Sequence, residues 1–103
     1  MATFRFSNRA LLDLDSIVEY TARTWGNAQA ARYVDQLETV TRNLVDIPRI
    51  GRPCEHIRPG LWRIEAGSHV LFFRREHEDV LVCRILHYRM LPEYQPIDDD
   101  DDE

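Results

Sequence analysis

An α+β domain is predicted: an N-terminal edge strand and an antiparallel helical hairpin packed on a three-stranded antiparallel β-meander. Three observations carry that prediction. Apolar residues recur at helical spacing through the first half of the chain, with one glycine break. A stretch rich in proline and glycine follows at residues 48–60. Beyond it, residues 61–90 form apolar runs separated by tight-turn residues.

Thr3 to Phe6 reads as a short strand that joins the sheet at an edge. Ser7 or Asn8 then caps a helix over about Asn8 to Thr24, accepting from amides that a first turn leaves without partners. Ala10, Leu14, Ile17, Val18, Thr21 and Trp25 form its buried stripe, with Asp13, Asp15, Glu19 and Arg23 between them. Gly26 suits a left-handed helix end and Asn27 a new cap, so a helical hairpin is expected. The second helix is expected from about Ala28 to Asp46, with Ala30, Tyr33, Val34, Leu37, Val40, Thr41, Leu44 and Val45 as its seam and Pro48 enforcing its end. The segment PRIGRPCEHIRPG reads as an ordered crossover loop, because its prolines can neither continue a helix nor enter a central strand.

Within the meander, Gly67-Ser68 has glycine first, as a type II′ hairpin requires, and His77-Glu78 marks the second turn. Pairing Ala66 with His69 places Trp62, Ile64, Leu71, Phe73, Val80, Val82 and Leu86 on one face, the expected core, because side chains alternate along strands. The other face carries Arg63, Glu65, Arg74 and His87 among Val70, Phe72, Leu81, Cys83 and Ile85. Such a mixture calls for cover by a partner or a chain end. LPEYQPI is too short and proline-broken for a stable α-helix.

At 103 residues with 44% apolar content, the chain supports one modest core and one domain. No apolar run approaches the ~20 residues of a membrane helix and no secretory leader is evident, so a cytoplasmic protein without membrane contact is expected. Cys54 and Cys83 lack a CxxC partner and read as reduced thiols. Of the 18 acidic residues six lie at 98–103, which leaves the body nearly neutral against 13 basic residues, every one an arginine. Residues 1–97 form the expected domain, with 98–103 as a disordered acidic tail, its carboxylates repelling one another. A second reading folds that tail back on Arg63, Arg74 and Arg89.

Several stretches together carry a family resemblance: Thr24-Trp25-Gly26 between the helices, PRIGRP at 48–53, Gly67-Ser68-His69 with LFFR behind it, and Arg84-Ile85-Leu86-His87 followed by Arg89-Met90. Over roughly residues 4 to 95 the chain resembles the ParE/RelE toxin superfamily, and in particular its ParE branch. The resemblance implies a toxin of a type II toxin-antitoxin pair, a gyrase inhibitor rather than an enzyme, with no cofactor. It also implies a hetero-oligomer with a ParD-like antitoxin, and DNA gyrase as target. Arg63, Arg74, Arg84, His87 and Arg89 are the expected target or antitoxin contacts, and Val70, Phe72 and Ile85 the apolar antitoxin contacts. Arg84 is the exception to watch, because the assumed register turns it toward the core, where it would need a carboxylate partner.

The alternative is the ribonuclease branch of the same superfamily. There Glu65 would act as base and Arg63 as charge stabiliser, with His87 and Tyr88 at the strand end, and the register puts Arg63, Glu65 and His87 on one face. A near-neutral body with an acidic end is poorly equipped to grip RNA, where phosphate neutralisation dominates affinity. A module that only binds, without toxicity, fits the mixed face on physics alone and is separated from both by toxicity to a host cell. His56, His69, His77 and His87 match no metal-ligand spacing, and no metal is expected.

Overall fold

The structure, a computed structural model, describes residues 2–47 and 49–97. Strand β1 (Phe4–Phe6) leads into helices α1 (Asn8–Trp25) and α2 (Asn27–Asp46). Strands β2 (Arg52–Pro53), β3 (Trp62–Ala66), β4 (His69–Glu76) and β5 (Asp79–His87) follow, then a 3-10 turn at Pro92–Tyr94. The five strands form one sheet in the order β1-β5-β4-β3-β2, with β1 parallel to β5 and the other pairs antiparallel. The predicted fold class holds, and the proline loop adds a strand only at the edge, where Pro53 costs no central ladder bond. Pro48 and the acidic stretch 98–103, to which a stop and a tail were assigned, lie outside the described residues.

Ser7 is the cap of α1: its Oγ accepts from Ala10 N at 3.0 Å and donates to Cys83 O at 2.8 Å. One buried hydroxyl thus starts the helix and ties it to the sheet. Between the helices, Gly26 (φ 97°) closes α1 and opens α2 by itself, so Asn27 is the first helical residue rather than the cap. Trp25 departs from the expected stripe: it is the last residue of α1 and stands 70% exposed. α2 ends at Asp46, with Ile47 extended, as a residue before proline prefers.

The Ala66–His69 pairing is observed, and Gly67 (φ 60°) makes the turn. Trp62, Ile64, Leu71, Phe73, Val80 and Val82 share the face covered by the hairpin, with Leu37 and Leu44 of α2 and Ile17 of α1 packed on it. Burial of each such side chain stabilises the fold by about 1.5–3 kcal/mol.

Alternation fails at one place. Phe73 pairs with Val82 but Phe72 pairs with Arg84, so Cys83 is an extra residue in a β-bulge. From there on every side chain of β5 changes face. Ile85 joins the hairpin-side core, Leu86 the outer one, and His87 turns to the hairpin side with His69. The expected placements of Leu86 on the hairpin side, and of Ile85 and His87 on the outer face, are therefore corrected.

The outer face is a second core, in which Val70, Phe72, Leu81, Cys83 and Leu86 are covered by Cys54, Ile57 and Leu61 of the proline loop and by Ile97. The chain's own loop and C-terminal segment supply the cover that the mixed face called for.

Candidate functional site

The register places four residues in one row across the sheet: Arg52 of β2, Arg63 of β3, Phe72 of β4 and Arg84 of β5. Directly paired residues point the same way, so Arg52 and Arg63 face outward side by side. Glu65 serves both, at 3.0 Å from Arg52 Nη2 and 3.8 Å from Arg63 Nη2. The Arg63 guanidinium lies 5.6 Å from the Phe72 ring centroid, and its Nε is buried without a hydrogen-bond partner. Arg74, on the same face, donates to Pro59 O at 2.7 Å and so holds the proline loop down.

Arg84 has a different task. It is 9% exposed and forks onto Asp13 of α1, Nε to Oδ2 at 2.8 Å and Nη2 to Oδ1 at 2.9 Å, while Nη1 donates to Pro96 O at 2.6 Å. Asp13 Oδ2 also accepts from Ile85 N at 2.9 Å. One buried ion pair therefore joins the first helix, the bulged strand and the C-terminal segment. The carboxylate partner demanded by the sequence exists, but the bulge sets Arg84 opposite Phe72 rather than beside Val82. Arg84 is a structural residue and is withdrawn as a target contact.

At the far end of the sheet, His69 and His87 meet edge to face with centroids 5.4 Å apart. Tyr33 of α2 reaches down to them: its hydroxyl lies 2.6 Å from His69 Nδ1 and accepts from Ser68 N at 2.9 Å. Burial lowers the His69 pKa, with the neighbouring His87 adding and Asp13 opposing. The Tyr33 hydroxyl donates to Ala66 O at 3.3 Å. Burial likewise raises the Tyr33 phenol. His87 Nδ1 accepts from Arg89 N at 3.2 Å, and the His87 ring packs on Tyr88 at 4.6 Å. A groove of about 850 Å³ opens here, walled by Tyr20, Trp25 and Tyr33 and floored by Ser68, His69 and His87. Tyr20 is 63% exposed on its rim.

The structure thus brings Arg63, Glu65 and Arg74 together on the outer face and leaves His87, Tyr88 and Arg89 at the sheet's end. The expectation that Arg63, Glu65 and His87 share a face is overturned by the bulge. Val70 and Phe72 are buried beneath the proline loop and Ile85 beneath the hairpin, so none of the three is presented as an apolar docking residue. Sequence reasoning missed Asp13, Arg52, Tyr33 and the pairing of His69 with His87. It also missed Arg75, which donates to Leu44 O at 3.0 Å and Ile50 O at 2.9 Å and so ties the end of α2 to the loop. Only Asp13 left a trace, as the unnamed carboxylate that Arg84 needed. Among the described residues no cluster of three or more His, Cys, Asp or Glu side chains is arranged to hold a metal ion.

Over residues 4–92 the chain matches the family described as ParE toxin of type II toxin-antitoxin system, parDE. It is 39% identical over 90 residues to Toxin ParE1 of Caulobacter vibrioides, covering 87% of this chain and 93% of that one. Toxin ParE1 of Mycobacterium tuberculosis is 40% identical over 88 residues, covering 84% and 90%. A solved structure, the chromosomal ParDE TA system from P. aeruginosa, superposes with a TM-score of 0.72 at 22% identity, covering 84% of this chain and 96% of that one. That superposition concerns the fold.

Proposed function

Because this chain belongs to the ParE toxin family of type II toxin-antitoxin systems, we propose that it inhibits DNA gyrase in the cytoplasm and is neutralised by a ParD-like antitoxin. Arg63 and Arg74 on the outer face, with His87 and Arg89 at the sheet's end, are the groups we assign to target or antitoxin contact. The chain acts by binding and not by cutting. The observation that carries this reading is the division of the nuclease-type residues: Glu65 and Arg63 stand on the outer face, while His87 faces the hairpin beyond the bulge. A base and an acid on opposite faces of a sheet cannot serve one phosphodiester, since both must lie within hydrogen-bond reach of it.

The antitoxin has a separate surface available in the groove beside Tyr20 and Trp25. Exposed aromatic side chains of this kind fit the apolar face of an amphipathic helix. The test is a supercoiling assay with purified chain, run beside a ribosome-bound message assay. The expected result is inhibited supercoiling with trapped cleaved DNA and intact message. Message cleavage with unaffected supercoiling would return the ribonuclease reading. Normal supercoiling and intact message, with no toxicity to the host, would leave a binding module.

A further inference from the structure

The cross-strand row of arginines begins where the C-terminal segment packs back on the sheet. Arg84 holds Pro96 O at 2.6 Å, and Ile97 is buried in the outer core with Phe72 and Leu86. The next six residues in sequence, Asp98 to Glu103, are all acidic. From Arg84 the row runs over Phe72 to Arg63 and Arg52. Those two lie about 10 and 15 Å from β5 at the usual strand spacing. Six residues of extended chain span up to about 20 Å, so the whole row is within reach.

The row is also short of negative charge. Arg52 and Arg63 are directly opposed like charges, an arrangement that destabilises a strand pair unless an anion intervenes. Glu65 is the carboxylate they share, close to Arg52 but only at 3.8 Å from Arg63. The Arg52 side chain is 67% exposed and the Arg63 side chain 29%, so both can accept a further anion.

We propose that residues 98–103 dock by charge along this row, from the Arg84 end toward Arg63 and Arg52, so that the chain carries its own competitor for any anion that would bind there. Arg89, beyond the C-terminal end of β5 with Tyr88, is not part of the contact. The contact is weak, reversible and salt-dependent. Held on the anchored Ile97, the acidic segment acts at an effective concentration of ~mM. An acidic hexapeptide with a Kd of ~1 mM in trans would therefore bind the full chain ~2–10-fold more weakly than a chain ending at Ile97. The contact stands apart from the gyrase reading, and its test uses no gyrase.

The test compares arginine side-chain NMR signals of three proteins: the full chain, the chain ending at Ile97, and the full chain with its six terminal acids changed to Asn and Gln. A urea melt of each confirms an intact fold. At ~20 mM salt the Arg52 and Arg63 Nε–Hε signals are expected to differ between the full chain and both others. At ~0.5 M salt they should coincide, because screening then acts within a few ångströms. Titration of the synthetic peptide DDDDDE should show the weaker binding by the full chain. Superimposed Arg52 and Arg63 signals at low salt would overturn the proposal. So would differences that persist at high salt or with the neutral tail, differences confined to Arg89, or equal peptide affinity for the full and shortened chains.

Discussion

Leu71 and Phe72 are neighbours on β4 that face opposite ways, and both are almost fully buried, yet the covers above them are unlike. Leu71 lies under two long helices whose register is held by many apolar contacts. Phe72 lies under an irregular loop and a chain segment, held by a few polar ties: Arg74 to Pro59 O, Cys54 N to Leu61 O, and Arg84 to Pro96 O. Equal burial therefore does not mean equal resistance to opening. A cover with fewer apolar side chains and no regular helix or strand ladder marks a region that opens locally at lower free energy. The hairpin face carries the larger cover, and the outer face, with its arginines, carries the one that opens more readily.

The sharpest way to break this contrast is at the residue that joins the two faces. Asp13→Ala leaves Arg84 buried and unpaired and removes the partner of Ile85 N, so a loss of about 3–5 kcal/mol is expected in urea unfolding. A paired Asp13→Leu, Arg84→Met change should recover much of it, since a buried ion pair is often no better than well-packed apolar residues. A loss below ~1 kcal/mol for Asp13→Ala would mean that the edge is not locked as described.

The contrast between the covers is sharpened by matched deletions. Leu71→Ala, beneath the helices, is expected to cost ~4 kcal/mol, and Ile97→Ala nearer ~2, because the C-terminal segment can settle into the space it leaves. Hydrogen exchange should show residues 54–61 opening without global unfolding in the Ile97 variant. Equal costs with a single cooperative opening would erase the distinction.

A smaller effect is expected at Tyr33. Tyr33→Phe removes the acceptor of Ser68 N and the partner of His69, for about 1 kcal/mol. Gly67→Ala should do at least as much harm, because the added methyl would lie 2.7 Å from the Tyr33 ring at a backbone φ of 60°.

The smallest effect is a titration. Burial and then His87 hold the His69 pKa below its ordinary 6.5, so the unfolded chain binds this proton more readily than the folded one. Stability from this group is full above that value and falls as the pH drops from it toward the folded pKa. His87→Gln should raise the His69 pKa in an NMR titration while leaving it below 6.5. No movement would leave burial as the whole cause.

Much of the fold was legible because its signals are local. Ser7, Gly26 and Gly67 punctuate helix, hairpin and turn at the positions expected, and the Ala66–His69 pairing follows from turn chemistry. The site was legible only in part. Arg63 and Glu65 read correctly as outward neighbours, because they lie before any irregularity. His87, Ile85 and Arg84 did not, because all three lie past Cys83.

The sequence by itself determined the order of elements, the caps, the turns and the alternation of β3 and β4, since each depends on residues a few positions apart. Only the tertiary structure decided where alternation stops. In VLVCRILH both faces are apolar, so either phase buries comparable surface and the local pattern holds no preference. The choice falls to groups far away in the chain: Ser7 Oγ on the Cys83 carbonyl, and Asp13 on Arg84 and on the amide of Ile85. A buried guanidinium must find its carboxylate, and the strand bulges so that it can.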